Sequence, residues 1–396
     1  RSPIHVAAPI PFMPSSRIPM PAHRLTRRQV LAGMAAASLA PAAAARPVTA
    51  TDPHGDLNQW IDSFGPGVHE LRHVPTFAEY KLRRHDTRFP DALYAKAVET
   101  AWGRVGPSLG AWCGGAFRFP HFYTCTGGHA DSGLDAIYRV NMVTGAVAVT
   151  RPSPLVRPHR TKRGTVMLPE RDDYLQGHTY SSILVVEDER LWIGHWPLFS
   201  TRAEYFDDEF PVAWEVDFAD QDENNYPRRR PLPHRYVSGA YLHLPDGNIF
   251  IGRHDAYGIA DRAGRMLREE KGRFGWNACF SPARNAVYGL EYKGQVVELS
   301  LADGAMAKRW VIQHSRDTRW IYGAGIQPFE DRLVIFTGGE SYYLLDPATG
   351  LFKEYANDVF REKTESRCFN RFIRLRDRVY LYVPTDQNAH PLLWVG

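Results

Sequence analysis

Cysteine occurs only four times in 396 residues, as Cys113, Cys125, Cys279 and Cys368. No two of them form a Cys-x-x-Cys pair, and their wide spacing excludes a disulfide-stapled scaffold or a small structural zinc module. Cys113 and Cys125 fall on what the pattern reads as adjacent strands, where they are either bridged or buried; two or more buried thiols are expected. Long apolar runs are missing after residue 45, which excludes a spanning helix there. Acidic side chains are missing from the first 46 residues, which hold six arginines (Arg1, Arg17, Arg24, Arg27, Arg28, Arg46). The formal charge of +4 therefore belongs to that leader: residues 47–396 carry 42 basic against 44 acidic side chains, a net of −2. Such a balance excludes a general nucleic-acid binder, which needs a basic surplus on its working domain. There is also no nucleophile-elbow motif and no recognisable carboxylate pair, which counts against a hydrolase or sulfatase-like enzyme. The acidic stretches Asp207-Asp-Glu209 and Asp220–Glu223 lack the EF-hand pattern, so a structural divalent cation is left open there and cofactors are otherwise unknown.

What is present is enough for a large core, with 44% hydrophobic and 12% aromatic residues. Residues 1–45 read as a signal peptide with an upstream extension. Arg24-Leu-Thr-Arg27-Arg28-Gln-Val-Leu31 is followed by the small apolar run Ala32–Ala40 and by Ala42–Ala45, in the order of charged region, apolar region and cleavage site. Met20 marks the expected translation start, with residues 1–19 preceding it. This leader resembles a bacterial twin-arginine export signal, which implies a periplasmic or secreted protein folded before translocation. That route permits a cofactor without showing one.

Residues 46–106 form an N-terminal segment in which two short helices are expected, Asp56–Phe64 and Pro90–Trp102, the second with apolar residues at helical spacing. From residue 107 to 396 the pattern turns to short β-type runs broken by Gly, Asp, Asn or Pro. These runs recur. One unit begins at Gly110 and runs through Phe122–Gly128 to Ala136–Gly145. A second begins at His178 and runs through Arg190–Gly194 to Ala213–Phe218, and further units begin near Tyr236, Phe274, Trp320 and Cys368. Six units of three or four short strands without an intervening long helix predict an all-β propeller. A seventh blade assembled from the N-terminal segment and Leu392–Val395 would also close the ring, so six and seven blades both stand at this point.

Thr126-Gly-Gly-His-Ala-Asp-Ser-Gly133 followed by Asp135–Gly145 resembles a kelch motif, and Tyr322–Glu340 with Tyr342–Gly350 repeats it. The chain is similar, from about residue 107 onward, to bacterial exported kelch and galactose-oxidase-like propellers, which implies a kelch-like six- or seven-bladed fold more than an activity. It departs from galactose oxidase in having no Tyr-His dipeptide, so the copper-radical chemistry of that enzyme is not expected.

Propellers bind ligands where loops of several blades converge at one mouth of the central channel. His178 and Tyr236 open successive units, and His195 and Arg253 follow the next strand; each residue is 58 from its counterpart. This arrangement is similar to the propeller-type ulvan lyases. The resemblance implies His178 as the base that takes the C5 proton of a uronate and Tyr236 as the acid at the leaving oxygen. It further implies Arg253 as the clamp on the carboxylate, with His195 helping to polarise it. A proton beside a carboxylate becomes acidic only when the enolate charge is stabilised, which is why the chemistry needs those cations. Tyr292, His129 and His254 are candidate substrate-binding residues. The basic runs Arg157–Arg163 and Arg228–Arg230 read as inter-blade loops able to meet acidic sugars.

The sequence thus predicts an exported propeller acting on an acidic, uronate-containing polysaccharide or oligosaccharide. β-Elimination is the leading chemistry, and a non-catalytic carbohydrate- or protein-binding propeller is the alternative. A monomer with no membrane span in its mature form and no nucleic-acid partner is expected.

Overall fold

A computed structural model describes residues 56–76, 79, 114–125, 137–151, 156–161, 164–169, 179, 181–187, 190–194, 213–221, 227–233, 239–253, 256–291, 294–302, 306–313, 323–339, 341–357, 371–384 and 388–396. All lie in the compact unit Ala45–Gly396. In chain order, a short helix α1 (Leu57–Asp62) and strand β1 (Gly67–Glu70) come first. The first blade follows, with β2 (Gly115–Arg118), β3 (His121–Cys125), β4 (Ile137–Asn141) and β5 (Val147–Arg151). A separate hairpin is made by β6 (Val156–Thr161) and β7 (Gly164–Pro169). The second blade has β8 (Ile183–Glu187), β9 (Arg190–Gly194), β10 (Ala213–Gln221) and β11 (Pro227–Pro231). The third has β12 (Gly239–His243), β13 (Ile249–Arg253), β14 (Ala256–Ala260) and β15 (Met266–Lys271). The fourth has β16 (Asn277–Ser281), β17 (Ala286–Glu291), β18 (Gln295–Ser300) and β19 (Ala307–Ile312). The fifth has β20 (Gly325–Phe329), β21 (Arg332–Phe336), β22 (Ser341–Leu345) and β23 (Phe352–Ala356). Last come β24 (Phe372–Arg376), β25 (Val379–Tyr382) and β26 (Leu392–Val395).

Six four-stranded antiparallel sheets result, each a simple meander, and the molecule is a six-bladed β-propeller with very little helix. The sixth sheet has the order β1-β26-β25-β24, so the N-terminal strand completes the C-terminal blade. Gly67 pairs with Val395 and Glu70 with Leu392. The N-terminal segment and Leu392–Val395 do meet, as the sequence suggests, but they fill the last place in the sixth blade instead of building a seventh.

The composition of each strand follows its place in a blade. Middle strands are covered on both faces by neighbouring blades, and β17 (Ala-Val-Tyr-Gly-Leu-Glu) is buried at every position. Outer strands meet water on one side, and β15 (Met-Leu-Arg-Glu-Glu-Lys) is polar accordingly. The cores lie between blades. Between the fifth and sixth, Trp394 stacks on Tyr380 at 5.1 Å, Tyr380 on Phe372 at 5.0 Å, and Phe372 on Phe336 at 4.6 Å between ring centres. Cys125 and Cys279 are buried, and burial pushes the Cys279 thiol up, so it stays protonated. Cys113, Cys368 and the expected helix Pro90–Trp102 lie outside the described residues.

Turns between third and fourth strands account for the recurrent Asx-x-x-Thr-Gly signature. Asn141 Oδ1 accepts from the amides of Val143 and Thr144, both at 2.9 Å, and the Gly145 amide closes the turn on Asn141 O. Gly145 has φ +71°, and a Cβ there would lie 2.0 Å from His73 O, so no other residue fits. Asp346 does the same work for Ala348 and Thr349 in the fifth blade.

Closure draws on side chains as well as on the β1–β26 ladder. Asp56 caps α1 by accepting from the Asn58 amide at 2.8 Å. The helix then buries Trp60 and Ile61 in a cluster that joins Phe122, Val140 and Met142 of the first blade to Leu381, Val383 and Leu393 of the sixth. His73 bonds Met142 O at 2.9 Å and His390 bonds Val74 O at 2.8 Å. Trp60→Ala is therefore expected to destabilise the propeller by roughly 3–5 kcal/mol, measured as a lowered midpoint in denaturant.

A partly buried charged network ties the fourth blade to the fifth. Glu298 accepts from Arg309 Nε and Nη2 at 2.6 and 2.7 Å and from the Tyr288 hydroxyl, while Arg309 also reaches Pro347 O at 2.8 Å. Burial alone would raise the Glu298 carboxyl, but the bonds from Arg309 and Tyr288 and the Arg309 charge hold it below its ordinary 4.5. A carboxylate depressed in the folded state contributes stability above the unfolded value and loses it as pH falls through the folded one. Glu298→Gln is expected to be less stable at pH 7 and to show a flatter stability profile on acidification below pH 4.5, read by denaturation across pH.

Candidate functional site

In such a meander the two ends of the ring differ. At one end the chain enters each first strand and crosses from second to third. At the other it turns from first to second and from third to fourth. Turns at the far end are tight, the longest being residues 301–306 and 346–351. The entry end carries the long connections, among them 126–136, 195–212, 313–324, 357–371 and the stretch 152–182 with its hairpin. Adjacent first strands run parallel there, as the parallel bridge between Ser181 and Ala240 records. Long connections on a rigid scaffold are where binding residues concentrate.

Of the seven candidate residues only Arg253 is described, at the entry-end terminus of its strand. Arg253 is the last residue of β13, paired with Gly239, which comes three residues after Tyr236. His129, His178, His195, Tyr236, His254 and Tyr292 lie outside the described residues. The offset of 58 between the second and third blades does hold through their ladders: Ile183 pairs with Ile193, and Tyr241 with Ile251. Gly194 and Gly252 then correspond, and Arg253 occupies the position next after them.

Around these strand starts the described side chains are polar and buried, where inner strands would otherwise be apolar. Ser182 Oγ lies 2.5 Å from Thr179 O and 2.9 Å from Gly194 O, and the Gly194 amide donates to Ser182 O at 2.7 Å. Ser182 thus joins the two segments that lead to His178 and to His195. Thr179 Oγ1 accepts from the Gly114 amide of the first blade at 3.3 Å. Thr124 donates to Gly114 O at 2.9 Å and accepts from Arg371 at 3.3 Å, and the fully buried Arg371 also donates to Pro384 O at 3.3 Å. A continuous polar path therefore runs from the sixth blade through the first to the second. Further round, Asn277 donates to Ala324 O and Glu291 accepts from the Gly275 amide, each at 2.8 Å. None of these residues was singled out from the sequence; their one signal is a polar residue at the start of a first strand or, for Thr124 and Glu291, at the end of a second.

Tyr241 stands edge-on to Trp192 at 6.3 Å, and burial pushes its phenol so far up that it stays neutral in any physiological buffer. It is a packing residue. A Cβ at Gly194 would come 2.5 Å from the Tyr241 hydroxyl and 3.1 Å from Ser182 Cβ. Gly194→Ala is expected to cost about 1–3 kcal/mol. Tyr241→Phe should restore part of the loss, a double-mutant cycle by denaturation being the check.

One of the two charge runs is placed differently from the sequence expectation. Arg228–Arg230 lies in β11, a blade strand and not an inter-blade loop, whereas Arg157–Arg160 lies in β6, a strand of the hairpin within the connection between the first and second blades. Two of the three β11 arginines stand opposite acids in the ladder, Arg230 opposite Glu215 and Arg228 opposite Asp217, and Arg230 bonds Asp220 at 3.0 Å. Asp220 is thereby engaged in an ion pair, and Asp207–Glu209 lies outside the described residues. Among the described residues no group of three His, Cys, Asp or Glu side chains is arranged to hold a metal ion, and no helix is long and apolar enough to cross a membrane.

No family model and no curated protein matches the chain. Solved structures that resemble it include a gluconolactonase, XC5397 from Xanthomonas campestris, at 11% identity and TM-score 0.44, over 73% of this chain and 88% of that one. Another is the β-propeller domain of Cps50 (Swd1) from Myceliophteria thermophila, at 8% identity and TM-score 0.41, over 72% and 83%. At these scores neither likeness bears on activity; the blade count rests on the sheet topology above.

Proposed function

We propose that this chain is an exported, kelch-like propeller, periplasmic or secreted, that acts on a uronate-containing polysaccharide by β-elimination at its entry end. The observation that carries the reading is the equivalence of the second and third blades. The ladder offset of 58 residues supports treating His178 with Tyr236, and His195 with Arg253, as paired positions on neighbouring blades. Base, acid and cation then come from adjacent blades at one mouth, as elimination across a sugar ring requires.

In this reading His178 takes the C5 proton of the uronate and the released electron pair forms the C4–C5 double bond. The C4–O bond breaks, and Tyr236 gives its proton to the leaving oxygen. Arg253 holds the carboxylate in two parallel hydrogen bonds and His195 adds a donor, so that charge developing on the enolate meets fixed cations. Tyr292, His129 and His254 contact the sugars on either side.

The experiment is to incubate the purified protein with a panel of polyuronates and follow the ultraviolet absorbance of the conjugated unsaturated product. A rise is expected, reduced roughly 10²–10⁴-fold by His178→Ala and by Tyr236→Phe. Absence of any rise from folded protein across the panel would overturn elimination and favour a propeller that binds polysaccharide without cleaving it.

A further inference from the structure

We infer that Trp276 is the stacking platform for a further sugar ring of the polysaccharide, one blade beyond the third. The inference deepens the proposed function and rests on it for the choice of polymer. Four ladder pairs occupy corresponding places in successive blades: Ile183 with Ile193, Tyr241 with Ile251, Ala278 with Gly289 and Ile326 with Ile335. Each lies on the face of its blade that packs against the preceding one. Two residues before the first member of each pair, at the entry-end start of the first strand, stand Ser181, Gly239, Trp276 and Ala324. Three of these are small and buried, Ser181 and Ala324 completely. Trp276 is by far the largest side chain at that place, and it is only half-buried where its counterparts are closed in.

The chain around this residue is anchored at three consecutive positions. The Gly275 amide donates to Glu291 Oε1 at 2.8 Å, the Trp276 amide to Leu290 O at 3.0 Å, and Asn277 Nδ2 to Ala324 O of the fifth blade at 2.8 Å. Gly275 has φ +86°, and a Cβ there would lie 2.6 Å from Leu290 O, so the turn into Trp276 admits no side chain. Glu291 is 2% exposed and ends β17 as Arg253 ends β13. It is a positioning residue, a buried carboxylate that orders the turn before the platform. Anchoring of this kind leaves less freedom to lose when a ligand settles there. A pyranose shows C–H groups on one face, and an indole gives that face broad apolar contact while hydroxyls and carboxylates stay in water. Trp276 comes one blade after Arg253, so a sugar stacked on it continues the chain whose carboxylate Arg253 holds.

The platform is tested by binding and not by turnover. The probe is polygalacturonate, titrated against the full chain carrying His178→Ala and followed by calorimetry and by tryptophan emission. In that background Trp276→Ala is expected to bind about tenfold more weakly, with the salt dependence of binding unchanged because no charge is lost. Trp276→Tyr should keep most of the affinity. Saturating polymer is expected to shift the tryptophan emission of the chain, and Trp276→Phe to lose that shift. Glu291→Ala is expected to weaken binding, and Glu291→Gln, which keeps an oxygen for the Gly275 amide, to retain it; a role confined to stability would move the denaturation midpoint without splitting the affinities. Should Trp276→Ala fail to fold by circular dichroism, the emission of Trp276→Phe decides. No binding by the His178→Ala chain, unchanged affinity in folded Trp276→Ala, or an unaltered emission shift in Trp276→Phe would overturn the platform. Weaker binding in Trp276→Ala with no elimination by the native chain keeps the platform and removes the lyase. Elimination by the native chain with unaltered affinity in Trp276→Ala does the reverse.

Discussion

Everything in this molecule depends on closing a ring. Radial sheets bury each face against a neighbour, so an open ring would leave two apolar faces in water and would lose part of every inter-blade core by splaying. The chain meets the constraint by hydrogen-bonding its first strand to its last, Gly67–Glu70 against Leu392–Val395. It reinforces that seam with Trp60 and Ile61 below and with the Arg371–Thr124–Gly114–Thr179 path above. The first two blades are held to the sixth by buried polar groups at the same end where the long connections leave the strands.

That division of labour explains the distribution of residue types. At the far end short turns rely on local Asx and Gly chemistry, as at Asn141–Gly145, and leave little room for variation. Inner-strand starts at the entry end carry Thr179, Ser181, Ser182 and Asn277, all buried. Buried hydroxyls and amides need partners, and here the backbone of the adjoining segments supplies most of those described. A rigid polar rim is what a binding mouth requires beneath it.

Much of this was legible in the sequence. The repeat starts read at Gly110, His178, Tyr236, Phe274, Trp320 and Cys368 each fall a few residues before a first strand, because Gly, Pro and Asp clusters mark the turns on which a meander depends. The helix expected at Asp56–Phe64 is found at Leu57–Asp62. Other features were hidden because strand pairing is non-local. Whether Leu392–Val395 ends a sixth blade or begins a seventh is decided by partners more than 300 residues away, such as His390 and Val74 at a separation of 316. The Tyr288–Glu298–Arg309 network draws on three strands and has no spacing signature. Nor does composition separate two arginine runs that look alike in one dimension; only the register shows that Arg228 and Arg230 face acids while Arg157 and Arg160 face Leu168 and Thr165.

The β1–β26 ladder also sets the order in which the protein can be made. β1 leaves the ribosome before every other strand of the ring, and its partner Leu392–Val395 leaves after all of them. Interior blades, whose strands are adjacent in sequence, can form as they are made, but the outer edge of the sixth blade cannot exist until β26 has been made. Until then the apolar side chains of α1 and the unpaired edge of β1 must be kept from other partners. A ring fastened by its first strand on its last is therefore all-or-none at its final step, and a chain lacking β26 would lose its fastening together with the strand.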